Sequence, residues 1–261
     1  MPLVTAAVVP NSPLLLPGLN TKARNCVVKT TSAINALEAH LNAFAPEVLL
    51  LLATTTDTTI SGHKYSMLQA PKLAYQFSEF GDLTTVGIAQ IALGFTHQLK
   101  EKCETSFPIP LSSPKQLPYI FSVPVALLSG KFAAIPIACI QLPINIPLDE
   151  ITQLAKIIKD HCAESSKRVA ILAAGLLARH KNSSDTDAPI FDRQFQLLAT
   201  RSDAMALLNL DSTIRMRIPQ TMWEPASLLY SILSGHNVVT DVLSYESPLG
   251  VGLLTASINF N

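Results

Sequence analysis

The hydrophobic positions fall into two kinds of pattern. Short, nearly continuous apolar runs occur at 3–9, 48–53, 134–140 and 169–174, and between them apolar residues recur every three or four positions. Runs of that length predict strands buried on both faces, as in a parallel sheet, and the three-to-four spacing predicts helices that cover the sheet. Ile34, Leu37, Leu41 and Phe44 mark a helix over 27–44 that ends before Pro46, so residues 3–52 read as a strand, a helix and a strand. On this reading the loop after the second strand lies beside the loop after the first. Ile88, Ile91, Phe95 and Leu99 predict a second helix, and Ile151, Leu154, Ile157 and Ile158 a further one. Residues 119–128 read as a short helix capped by Ser122, a helix starts at Phe191 with Asp192 as its cap, and another covers 225–233. Val242–Tyr245 and Gly252–Ile258 close the chain as two strands. The expectation is one α/β domain over 1–261, a three-layer α/β/α sandwich with a central mixed sheet. In such folds functional loops lie beyond the carboxyl ends of the strands.

Composition narrows the setting. Only 15% of the 261 residues are charged against 48% hydrophobic, which points to a covered surface and a homo-oligomer. Net charge is zero and no Lys/Arg-rich run occurs, so nucleic-acid binding is not expected. The apolar stretch 123–140 is broken by Ser129-Gly130-Lys131 and by Pro136, so no membrane span is expected, and the first residues lack the pattern of a secretion signal. Cys26, Cys103, Cys139 and Cys162 are widely spaced and read as buried thiols, in keeping with a cytoplasmic protein.

Candidate chemistry is sparse. The strand that ends at Pro10 opens into Asn11-Ser12-Pro13, which presents Asn11, an amide that neither titrates nor competes well for a transition metal. The second loop, from Thr54 to Thr59, supplies hydroxyls around Thr55. Phosphate-binding, dinucleotide-binding, nucleophile-elbow and zinc-helix motifs are absent from the sequence. His40, His97 and His161 sit near the ends of predicted helices and read as solvated or capping side chains, whereas His63 and His236 follow glycines in turns. His180, a few residues past a strand and near Asp185 and Asp187, is the best remaining histidine.

These pieces together resemble the class III extradiol ring-cleavage dioxygenase superfamily, including the Memo-like proteins and the AmmeMemoRadiSam system protein B type. The ending Val242-Leu243-Ser244-Tyr245-Glu246-Ser247-Pro248-Leu249-Gly250-Val251-Gly252 is similar to the family's closing signature, and Ala7-Val8-Val9-Pro10-Asn11-Ser12-Pro13 to its opening "A-x-V-P-H-P-P". Active members hold a non-haem Fe(II) with two histidines and a glutamate and use further histidines as acid/base groups. Position by position, the resemblance places Asn11 and Thr55 where the family has ligand histidines, and Tyr119 and Ala178 where it has the other two. The carboxylate falls on Gln220, with Glu224 close by. The implied protein keeps the scaffold without the iron, so no cofactor is expected. Its cleft, lined by Asn11, Ser12, Thr55, Tyr119, His180 and Glu224, would take a small polar molecule or serve an assembly. The alternatives are a metal-dependent oxidoreductase with a site relocated to His63, His180, Asp185, Asp187 or Glu224, and a metal-free acid/base catalyst using Tyr119 and Glu224.

Overall fold

In the computed structural model, which describes residues 2–18, 25–54, 65–80, 85–128, 130, 134–180 and 186–261, eight strands form one mixed sheet. The strands are β1 (Leu3–Pro10), β2 (Val48–Thr54), β3 (Ser66–Leu68), β6 (Leu111–Ser112), β7 (Ile137–Leu142), β8 (Val169–Gly175), β9 (Val238–Glu246) and β10 (Leu253–Phe260). Their spatial order is β6-β3-β7-β2-β8-β1-β10-β9. The centre, β7-β2-β8-β1, is parallel, and β10 and β9 add antiparallel strands beyond β1. A separate antiparallel pair joins β4 (Lys72–Gln76) to β5 (Val86–Gln90).

The nearly continuous apolar runs are central strands because both of their faces are covered. Leu50, Leu52, Ile171 and Ala173 point into a core shared with α2 (Leu93–Glu104), α4 (Leu148–Glu164), α5 (Asp187–Thr200) and α8 (Trp223–Leu233). Leu49, Leu51, Ala170 and Leu172 point the other way, toward α1 (Val28–Ala43), α3 (Tyr119–Leu127) and the β4–β5 pair. The three-layer α/β/α architecture is therefore the one expected. Two short helices, α6 (Ala204–Leu208) and α7 (Ser212–Arg217), lead into α8.

Several local expectations are corrected. β8 pairs with both β1 and β2, so it separates the ends of those two strands, and the loop expected after β2 lies outside the described residues beyond Thr54. Apolar periodicity cannot rank strands that are equally apolar. Residues 86–90 form a strand, not the start of a helix, and Leu93 opens the helix. The 119–127 helix begins immediately after Pro118, which leaves Ser122 buried inside it instead of capping it. The helix around Phe191 begins at Asp187, so Asp192 lies in its interior. His161 is buried, with its ring 4.3 Å from that of Phe95, and burial pushes its pKa down, so it is neither solvated nor a cap. Cys103, Cys139 and Cys162 are buried as expected, whereas Cys26 is exposed.

Candidate functional site

The carboxyl ends of the parallel strands meet around Gly175. Asn11, 2% exposed, follows β1 and donates its main-chain N–H to the Gly175 carbonyl at 3.3 Å. Ser12 is extended, and its hydroxyl accepts from the Leu14 N–H at 3.3 Å, capping a 3₁₀ turn over Pro13–Leu15. The two residues of the opening motif thus have different work. Ser12 shapes the loop, and Asn11 sits against the end of β8.

The segment before α8 crosses the same point. Leu176 and Thr221 exchange two hydrogen bonds, Leu176 N–H to Thr221 Oγ1 at 2.9 Å and Thr221 N–H to the Leu176 carbonyl at 3.0 Å. Arg179 N–H reaches the Pro219 carbonyl at 2.9 Å. Gly175 is needed for this approach, because a Cβ there would run into the Thr221 carbonyl and stand 2.8 Å from the Met222 Cα.

This crossing delivers Gln220 and Glu224 together. The Gln220 side-chain oxygen accepts from the Trp223 N–H, the first of α8, at 2.7 Å, and its amide donates to Glu224 Oε2 at 3.2 Å. Glu224, fully buried, accepts at Oε1 from the Asn145 N–H at 2.9 Å, in the loop that follows β7. Burial raises the Glu224 pKa above the usual carboxylate range, and the hydrogen bonds and the nearby Arg215 charge oppose that rise. Gln220 and Glu224 are thus one hydrogen-bonded unit.

The other candidates separate from this group. Tyr119 is the first residue of α3, 38% exposed, with its ring 6.0 Å from that of Phe80. His180 donates its main-chain N–H to the Gly250 carbonyl at 2.8 Å and lies in the field of Asp192, so it belongs with the closing turn. Asp187 pairs with Arg217 at 3.3 Å. Thr55, His63 and Asp185 lie outside the described residues.

Asp192 is the buried acid whose residue type suggested a cap. Its Oδ1 accepts from the Ala178 N–H at 2.8 Å and its Oδ2 from the Tyr245 hydroxyl at 2.6 Å. Desolvation pushes its pKa up to about 6 even though both hydrogen bonds and His180 pull it down. Ala178 therefore contributes its backbone, not its side chain. Glu246, next to Tyr245, accepts from the Thr30 N–H and hydroxyl, each at 2.7 Å, and so binds the start of α1. The closing Ser-Tyr-Glu run ties helices on both faces to the sheet edge.

Fe(II) of the kind the resemblance implies needs imidazole and carboxylate donors with free lone pairs converging on one point. The described candidates do not fit it. Asn11 offers an amide and Ala178 a methyl group, which leaves Glu224, held by the Asn145 N–H and the Gln220 amide, without imidazole partners among these positions. Among the described residues no group of three or more His, Cys, Asp or Glu side chains could hold a metal ion.

No protein-family model matches the sequence, and no curated protein matches it. Its fold is similar to the crystal structure of an uncharacterized Escherichia coli K12 protein, JW3007, with a TM-score of 0.66 and 13% identity over 97% of this chain and 99% of that one. At that identity the likeness shows the fold alone. Among the described residues no helix is long and apolar enough to cross a membrane.

The sequence pattern did not single out Arg215, Asn145 or Trp223. Arg215 lies 3.4 Å over the Trp223 ring, and its Nε and Nη1 are covered without a hydrogen-bond partner among the described residues. The only signal was the isolated tryptophan itself.

Proposed function

We propose that this chain is a non-catalytic member of the class III extradiol dioxygenase-like superfamily that binds a small polar molecule or serves an assembly. The observation that carries the reading is the donor set: Asn11 offers an amide and Ala178 a methyl group where the resemblance implies imidazoles, and Glu224 is held inside the protein by the Asn145 N–H and the Gln220 amide. The Tyr245–Asp192 and Glu246–Thr30 bonds support a use of the closing signature as scaffold. Buried thiols at Cys103, Cys139 and Cys162 support a reducing, cytoplasmic setting, and the low charge content supports a homo-oligomer with no nucleic-acid or membrane partner.

The test is metal content followed by anaerobic Fe(II) and Zn(II) titration of the purified chain, beside an Asn11→His/Thr55→His variant. The unmodified chain is expected to bind neither ion stoichiometrically. Micromolar or tighter stoichiometric binding overturns the reading in favour of a metal-dependent oxidoreductase with a relocated site.

A further inference from the structure

A recess of about 240 Å³ lies in the layer of α1 and α3, on the opposite face of the sheet from α8. It opens between the 3₁₀ turn after β1, one face of α1 and the end of α3. Leu15, Val27, Ile34 and Ala126, all buried, are among its walls, and its open surface is more apolar than polar. The Ser12 cap sets the turn that brings Leu14 and Leu15 to it. The volume lies below the usual range of small-molecule sites, roughly 300–1,000 Å³, so the occupant is small.

The polar side of the recess comes from a single helix. Thr31, Asn35 and Glu38 follow one another at four- and three-residue spacing, so they form a row along α1. Each offers a hydrogen-bond acceptor. The Thr31 hydroxyl donates to the Val27 carbonyl at 2.9 Å and keeps its oxygen lone pairs, Asn35 has an amide oxygen, and Glu38 a carboxylate. Glu38 is partly buried and makes no hydrogen bond or ion pair among the described residues. Its carboxylate rests against Gly130, where a Cβ would collide with it. Among the described residues no cationic side chain lines the recess. A carboxylate at the edge of an apolar recess attracts a cation more strongly than one in open water, because the effective dielectric is lower.

The geometry points to a binding site for a short primary alkylamine, with its ammonium at Glu38 and Asn35 and its hydrocarbon chain along Leu14, Leu15, Val27 and Ile34. An ammonium has three donors and no acceptor, which suits a rim of acceptors, whereas an organic acid would meet Glu38 with like charge. The chain carries no net charge, so the preference for a cation comes from this carboxylate and not from the field of the whole protein. The site goes beyond the function proposed above. It uses none of the Asn11, Gln220 and Glu224 side chains, so it stands whatever the metal titration gives.

The experiment is calorimetric titration of the full chain with hexylamine, hexan-1-ol and hexanoate at about pH 7, where the amine is protonated, with a chelator present to remove metal. Hexylamine is expected to bind at one equivalent, and hexan-1-ol and hexanoate at least tenfold more weakly. Glu38→Gln keeps the shape of the side chain, and it is expected to weaken hexylamine at least tenfold and to remove its advantage over hexan-1-ol. Thr31→Phe, at an exposed position of α1, is expected to fill the recess and weaken hexylamine at least tenfold with unchanged circular dichroism, which covers the case of a misfolded Glu38 variant. No saturable hexylamine binding, equal binding of hexan-1-ol or hexanoate by the parent chain, or undiminished hexylamine binding by folded Glu38→Gln or Thr31→Phe overturns the proposal.

Discussion

Asp192 and Glu224 are two buried carboxylates built alike and used differently. Each accepts one backbone N–H and one side-chain donor, and burial raises the pKa of each. Asp192 joins parts of the chain that are far apart, Ala178 after β8 and Tyr245 on the edge strand β9. It is packed so closely that a Cβ on Gly252 would meet its carboxylate. Glu224 also reaches a distant segment, the turn at Asn145, which has φ 58, and that turn lies on the rim of a recess lined in part by Arg215. Burial and a raised pKa therefore do not by themselves mark a functional acid. What separates the two is whether the partners are scaffold or the edge of a cavity.

The strongest way to break this comparison is to remove each acid in turn. Asp192→Ala leaves the Ala178 N–H and the Tyr245 hydroxyl without their acceptor, and a loss of about 3 kcal/mol is expected in urea denaturation. A loss no larger than that of Glu224→Ala would mean that Asp192 is not the structural member of the pair.

The next effect is in pH. With a folded pKa of about 6 against an ordinary value of 3.8, Asp192 binds a proton more readily in the folded state. Its contribution to stability is fully present below pH 3.8 and is lost as pH rises through about 6. Relative to Asp192→Asn, the parent should gain about 2 kcal/mol between about pH 7 and about pH 4.5. His161, whose pKa is lowered, acts in the opposite direction but is common to both proteins and cancels in the difference. Parallel pH profiles for the two proteins would show that Asp192 does not titrate in this range.

The smallest expected change sharpens the role of Glu224. Glu224→Gln keeps the shape but can turn an amide donor toward the Asn145 N–H, and a loss of about 1 kcal/mol is expected. Hydrogen exchange should quicken at Asn145 while the central strands stay protected. Uniform quickening across the sheet would make Glu224 as much a scaffold residue as Asp192.

Some of this was legible in the chain and some was not, for identifiable reasons. The run Val48–Leu52 reads correctly as a buried strand, and Ile34, Leu37 and Leu41 as the inner face of a helix, because burial imposes those periods. Residues 86–90 misled because Ile88 and Ile91 mimic helical spacing, while Val86 and Ile88 are exposed on a two-stranded pair with little burial to write a pattern. Ser122 and Asp192 are good caps by residue type, yet those helices start earlier, at Tyr119 after Pro118 and at Asp187. Asn11 was visible as the residue at the end of the first strand. Nothing local announced that Arg215 would lie over Trp223.

The order of apolar and polar residues by itself determined the layers, the central strands and the helices that cover them, since each depends on the period with which neighbouring positions are buried. Only the tertiary structure decided that β8 stands between β1 and β2, that Asp192 meets Tyr245, and that Glu224 meets Asn145 while Arg215 lies over Trp223. Most of those are contacts between residues far apart in the chain. Their energies depend on which groups share a desolvated space, and no repeat along the sequence records that.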